Sequence, residues 1–268
     1  LPGSVQFEVS DHIATITLDN PKARNAFDYE MCVELKRIWA EVKTNPDIRC
    51  SIVTGEGDRA FCTGWDISST ASGDSQQFAK VGRMDAPFSW ITAVQNRCWT
   101  PTITAVNGQC NGGGLHFLAD TDIAIASDSA TFFDTHCQNG MPAVLEMVSL
   151  AKRIPLDSVF RLTYLGSKER MTAEAAKDCG LIGEVVPQDQ LMSRAREIAE
   201  TITQWSPTAL ARSKRAIWES LDRGLEPALD HSMKELDLHS THQDQIEGPT
   251  AFFEKRTPNW EPYLGDDD

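Results

Sequence analysis

The chain has 268 residues, 41% hydrophobic and 24% charged, the composition of an ordinary soluble globular protein long enough for one large core or a core with an appended lobe. A formal net charge of −14 argues against a nucleic-acid surface, which needs a concentrated basic face, but leaves room for a small anion held by local cations and backbone amides. Seven cysteines, an odd number with no CxxC pair, argue against a disulfide framework or zinc cluster.

No apolar run reaches the roughly 18 residues of a membrane span. The opening Leu1-Pro2-Gly3 has neither the basic nor the apolar region of a signal peptide. A cytoplasmic location is the simplest expectation. The sequence does not begin with methionine, so an organellar matrix stays open if a targeting segment was removed.

In chain order, Val5 to Val9 and His12 to Leu18 alternate in the manner of two strands, ended by Asp19-Asn20-Pro21. A helix is expected from about Tyr29 to Thr44, with Met31, Leu35, Ile38, Trp39 and Val42 as its apolar stripe. Arg49 to Thr54 reads as a strand, Phe61 to Ile67 crosses a tight bend, and residues 68 to 77 form a polar rim segment. A helix is expected over 85 to 98, then a strand over Thr102 to Val106, a glycine cluster, a short helix from 113, and a strand over Asp122 to Ala126. This is an α/β order, in which ligands sit at the C-terminal ends of strands. From Met147 helices dominate: Met171 to Cys179, Leu191 to Trp205, one opening near Pro207, and a charged stretch from Glu226 to about Thr250. A short strand is expected over Leu181 to Val186. Asp120 and Asp122 read as turn anchors.

Two glycine-containing bends lie far apart in sequence but each can offer a backbone N–H to one cleft. Gly64 permits a sharp turn that presents the amide of Trp65. Gly112-Gly113-Gly114 opens a helix whose first amides have no carbonyl partner. Two convergent donors suit a thioester oxygen that acquires negative charge; a plain turn is the competing reading. The cluster matches neither a phosphate loop nor GxGxxG.

The chain resembles the crotonase superfamily, the enoyl-CoA hydratase/isomerase family, over nearly its whole length. The resemblance is carried by Asn20-Pro21-Lys22-Ala23-Arg24-Asn25-Ala26-Phe27, Ala60-Phe61-Cys62-Thr63-Gly64-Trp65-Asp66-Ile67, Asn107-Gly108 through Gly114, and Asp120 to Ala126 with Ala130-Thr131-Phe132. The ending Glu247 to Trp260 adds to it. It implies an α/β fold, a crotonase-like spiral of repeated ββα units over 1–200, and a C-terminal helical lobe over 201–268 that packs a homotrimer or a dimer of trimers. It implies an acyl-CoA thioester as substrate, coenzyme A as its carrier, and no redox or metal cofactor. Carried over residue by residue, the oxyanion donors are the amides of Trp65 and Gly113. Lys22 and Arg24 lie near the CoA phosphates; Ala60, Asp66 and Ile67 border the CoA pocket; and Phe252 and Lys255 lie near the CoA of the same or an adjacent subunit.

The departure lies at the acid/base positions. Hydratases of this family carry glutamates where this chain has His116 and His136. Gly113 and His116 stand on adjacent turns of one helix face, so the imidazole can reach the oxyanion region. His136 is expected as the principal general base or acid, with His116 as its partner or as a residue that only shapes the pocket. Asp134 and Cys137 are the neighbouring alternatives to His136. Glu146 is a third catalytic group, a residue that orients His136, or a helix-capping charge. A metal site of His116, His136 and Glu146 has suitable ligand types but is not expected. The reaction expected is hydratase-, isomerase- or lyase-like. A hydrolase acting on a thioester or β-dicarbonyl substrate and a catalytically silent CoA-binding scaffold are the alternatives. Trp65, Trp90, Trp99, Phe88, Phe132 and Phe133 are available to wall a bulky acyl group, or simply to fill the core.

Overall fold

A computed structural model describes residues 3–66 and 85–265. Ile67 and the polar stretch 68–77 therefore lie outside the described residues.

Two sheets are laid down together as the chain winds. One contains β1 (Ser4–Ser10), β2 (Ile13–Asp19), β3 (Cys50–Gly55), β5 (Thr102–Val106), β7 (Ile123–Ser127) and β10 (Glu184–Val186), in that spatial order. The other contains β4 (Ala60–Cys62), β6 (Gln109–Asn111), β8 (Thr131–Phe133) and β9 (Met171–Thr172). β1/β2 and β8/β9 are antiparallel, and the remaining pairs are parallel. Each turn of the spiral gives one strand to each sheet: β3 then β4, β5 then β6, β7 then β8. The central strands are buried on both faces, as parallel strands covered on both sides are, and their Ser51, Thr54, Thr102 and Thr104 are buried with hydroxyl hydrogen bonds.

Asparagine side chains bind successive turns together. Asn107 Nδ2 donates to the carbonyls of Gly55 and Gly57 at 2.8 and 2.7 Å, while its Oδ1 accepts from Gly55 N. Asn25, held in the left-handed region at φ 57°, donates to Glu56 O and Ala60 O and accepts from Asn20 N. The family-like segments around Asn20 and Asn107 are thus corner braces that satisfy backbone groups no ladder can reach.

Helix α1 (Tyr29–Thr44) is capped by Asp28, which accepts from Met31 N at 2.9 Å. It buries the expected stripe of Met31, Leu35, Ile38, Trp39 and Val42 on the sheet. Next come α2 (His116–Ala119), α3 (Leu145–Leu150), α4 (Leu156–Leu165) and α5 (Ala173–Asp178). The outer face of the larger sheet is covered by α6 (Leu191–Ile202), whose Leu191, Ala195 and Ala199 pack against Ile13, Ile52, Ile103 and Ile125. α7 (Pro207–Ser220), α8 (Leu225–His239) and α9 (Asp244–Glu254) end the chain. No described helix is long and apolar enough to cross a membrane.

Four expected elements differ. Instead of a helix over 85–98 there is a 3-10 turn at Pro87–Ser89 followed by turns. Local side chains take the backbone there: Gln95 Oε1 accepts from Ile91 N and Thr92 N, and Asn96 Nδ2 donates to Trp90 O and Thr92 O. Met171–Thr172 joins the smaller sheet, so the next helix begins at Ala173 with Thr172 as its N-cap. The strand expected from Leu181 is confined to Glu184–Val186. The charged stretch after Glu226 is two helices, parted at 240–243.

Candidate active site

β4, β6 and β8 are adjacent and parallel, with Cys62 opposite Cys110 and Asn111 opposite Phe133. Their C-terminal ends therefore deliver Thr63-Gly64-Trp65, Gly112-Gly113 and Asp134-Thr135-His136 to one edge. Asn111 and Thr135 lock two of these segments together, Asn111 Nδ2 donating to Thr135 Oγ1 at 3.1 Å.

The Gly64–Trp65 peptide is oriented by Phe27. Phe27 N donates to Gly64 O at 2.9 Å, and Asp66 N donates to Phe27 O at 2.9 Å. In a trans peptide the Trp65 N–H then points the opposite way from that carbonyl. Gly113 lies close by: a Cβ built on Gly64, which sits at φ 86°, would come within 2.7 Å of Gly113 N. A side chain at Gly64 is thus excluded by backbone conformation and by the approach of the second amide. Gly113 belongs to a 3-10 turn over Gly112–Leu115, where the first amides have no carbonyl within the turn.

A cleft of about 840 Å³ opens over these amides. Trp65, Asp66, Gly113, His116, His136 and Glu146 all line it, with Ala23, Phe27, Phe88, Met141, Val144 and Leu145 among the apolar surfaces. Phe27 and Trp65 meet edge to face at 5.9 Å. The pieces expected to share a pocket are therefore brought together, except at the CoA end. Lys22 and Arg24 are exposed on the turn that carries Ala23, Arg24 donating to Gln109 Oε1 at 3.3 Å. Arg59, which sequence reasoning passed over, is exposed beside them and donates to Pro21 O at 3.4 Å. Ala60 does not line the cleft: it is 2% exposed, in β4, and its carbonyl accepts from Asn25 and Asn107. Phe252 and Lys255 are exposed at the end of α9 and do not line the cleft within this chain.

At the chemical end, Asp134 is fully buried and takes two hydrogen bonds from one residue, His136 N to Oδ1 at 2.8 Å and His136 Nδ1 to Oδ2 at 2.8 Å. A carboxylate that already accepts a backbone amide acts on Nδ1 as an acceptor, so Nδ1 carries the proton and Nε2 keeps its lone pair. Nε2 has no partner among the described residues. The ring packs against the triple glycine, its Cε1 3.6 Å from where a Gly112 Cβ would stand. Glu146 Oε1 lies 3.1 Å from the same Nδ1. It nevertheless has no hydrogen bond, because the single Nδ1 proton is aimed at Asp134. The bond from Asp134, reinforced by the charges of Glu146 and Asp134 and opposed by burial, raises the His136 pKa above its ordinary value.

His116 is 5% exposed at the start of α2. Its Nε2 is 3.7 Å from Glu146 Oε2, and its Nδ1 is 3.5 Å from Gln95 Nε2. Glu146 is 4% exposed in the first turn of α3, facing both imidazoles rather than capping that helix. Ligand atoms of Asp134, His136 and Glu146 lie within 4.8 Å of one another. A cation among them would have to displace the proton that His136 and Asp134 share. Cys62, beside the cleft, is ruled out as a nucleophile near neutral pH, since burial pushes its thiol to about 12. Gln95 is a partner that sequence reasoning missed, and Asp134, expected only as an alternative to His136, is instead bonded to it. Asp134 was visible only as a neighbour of His136, and nothing in the spacing of Gln95 pointed to His116.

The enoyl-CoA hydratase/isomerase family profile matches residues 8–262. Among relatives, the chain is 34% identical to (E)-benzylidenesuccinyl-CoA hydratase of Thauera aromatica, over 95% of this chain and 97% of that protein. It is 34% identical to carnitinyl-CoA dehydratase of Proteus mirabilis, over 96% of this chain and 98% of that protein. An enoyl-CoA hydratase/isomerase structure from Mycobacterium paratuberculosis superposes with a TM-score of 0.87 at 36% identity, covering 96% of this chain and 98% of that one. The chain belongs to the enoyl-CoA hydratase/isomerase family, with the crotonase fold, and is an enzyme of that family.

Proposed function

We propose that the enzyme adds water reversibly across the double bond of a 2-enoyl-CoA thioester, with His136 as its general base and acid. One observation carries this reading: His136 lines the cleft with its Nδ1 held 2.8 Å from a buried carboxylate, an arrangement that leaves Nε2 to serve as the base. The thioester oxygen would sit between the amides of Trp65 and Gly113. His136 Nε2 takes a proton from water as the oxygen forms a bond to Cβ, and the double-bond electrons move through Cα toward the thioester oxygen. The resulting enolate is stabilised by the two amides. The imidazolium, balanced by Asp134 and Glu146, then returns its proton to Cα, so one water is added and His136 is restored. The sequence-based pairing changes in one respect. Both ring nitrogens of His116 face protein groups, so in this reading His116 acts through Glu146.

The relatives' names support hydration and dehydration of acyl-CoA as the reaction class. At the other end of the cleft, Lys22, Arg24 and Arg59 would receive the CoA phosphates. Leu225, Leu229, Met233 and Leu236 of α8 are all exposed, and such a face favours burial against further copies of the chain, as in the family's trimers.

The test is a panel of enoyl-, 3-hydroxyacyl- and 3-oxoacyl-CoA thioesters, following the 2-enoyl absorbance and free thiol together. Reversible loss of the enoyl signal without thiol release is expected. Thiol release would make the enzyme a hydrolase, and binding without turnover would make it a silent CoA-binding protein.

A further inference from the structure

We propose that Gln95 is a positioning residue for this site, one that fixes His116 in the tautomer carrying its proton on Nε2, toward Glu146. The proposal rests on the cleft being the reaction site and concerns how its second imidazole is held.

The side chain of Gln95 can be oriented in only one way. Its Oε1 accepts from Ile91 N at 2.9 Å and from Thr92 N at 3.2 Å. Flipping the amide would set its NH2 against two backbone donors and leave both unpaired. The NH2 must therefore face His116, and Nε2 of Gln95 stands 3.5 Å from His116 Nδ1. An amide NH2 has protons and no lone pair to offer, so Nδ1 is the acceptor and the proton of a neutral His116 lies on Nε2. That nitrogen faces Glu146 Oε2 at 3.7 Å, so its N–H is turned toward the buried carboxylate. The turn is anchored to α2 as well: Gln95 N donates to Thr92 Oγ1 at 3.3 Å, and Thr92 Oγ1 donates to Asp120 Oδ2 at 2.9 Å at the end of that helix.

The two imidazoles are thereby given opposite tautomers by opposite neighbours. A carboxylate at Nδ1 of His136 leaves Nε2 as a base; an amide donor at Nδ1 of His116 makes Nε2 a donor. The site keeps one ring as the base, and the other turns an N–H toward Glu146. This gives the second histidine a role that two equivalent imidazoles would lack.

Selective 15N-histidine labelling of the full chain reads the tautomer directly, with the His116 signals assigned by their loss in His116→Gln. Wild-type protein near neutral pH is expected to show His116 protonated on Nε2 and not on Nδ1. Gln95→Glu keeps an acceptor for Ile91 N and Thr92 N but replaces the donor with a second acceptor. His116 Nδ1 should then gain a proton and turnover should fall by about tenfold or more. A wild-type His116 protonated on Nδ1 overturns the proposal, and that spectrum needs no variant to fold. His116 signals unchanged in Gln95→Glu overturn it as well. Wild-type protein without hydratase activity would instead defeat the functional reading and leave the tautomer result standing.

Discussion

Two buried charge clusters in this molecule are built from similar parts and finished differently. In one, Lys214 Nζ meets Asp122 Oδ2 and Thr100 O, each at 2.8 Å, and Thr102 Oγ1 at 3.4 Å. Asp122 also accepts from Thr102 N and Trp218 Nε1, both at 2.7 Å. All three ammonium protons and both carboxylate oxygens have partners, and the result fastens α7 to the start of β5. In the other, Asp134 is bonded twice by His136, but Glu146 Oε1 is buried without a hydrogen bond, and His136, which lines the cleft, has no partner for Nε2 among the described residues. A completed cluster has nothing left to offer a ligand, whereas an incomplete one keeps a base and a charge in reserve at a cost in stability.

The contrast can be broken most sharply at His136. Replacing it with alanine should lower kcat on the order of 10³-fold, the range of a lost general base, together with some loss of Tm because the buried Asp134 gives up its imidazole partner. Asp134→Asn should cost on the order of 10² to 10³-fold, since the carboxylate sets both tautomer and charge. It should also move the pH profile. In the wild type the base form appears only as pH climbs through a value above the ordinary His pKa of about 6.5, so the rate rises along a limb displaced to higher pH. Removing Asp134 removes the largest cause of that displacement, and the limb should shift to lower pH. The linked stability has the same sign: the gain from the charged imidazole is full below about 6.5 and is lost as pH rises through the raised value.

At the completed cluster the pattern reverses. Lys214→Met should lower stability by about 3 kcal/mol, because Asp122 is left without its cation. A urea titration would show this, while kcat per folded enzyme stays at the wild-type value. The smallest effect is expected at the rim: Arg24→Glu should raise KM a few-fold, more at low salt than at high, with kcat unchanged. A large kcat effect there would move the chemistry away from His136.

The sequence already showed much of this fold because its signals were local. Strand alternation at 13–19, the Asp28 cap, the apolar stripe of α1 and the glycines at 64 and 112–114 each report a constraint met within a few residues. His116 and His136 were legible through the family resemblance, as replacements at two known positions. Their neighbours were harder to read. Glu146 was visible as a lone carboxylate, but its placement between two imidazoles follows from α3 packing on α2. Gln95 sits in a stretch whose composition suits a helix, and its side chain both prevents that helix and reaches His116. Such a partnership depends on tertiary placement, which no periodicity encodes.

Measuring kcat and Tm for His136→Ala and Lys214→Met side by side, on an enoyl-CoA that the wild type hydrates, separates the base from the fastening. His136→Ala should lose nearly all turnover even in the folded protein, whereas Lys214→Met should lose Tm while keeping its turnover per folded enzyme. Wild-type turnover in His136→Ala would contradict the role of His136 as the base.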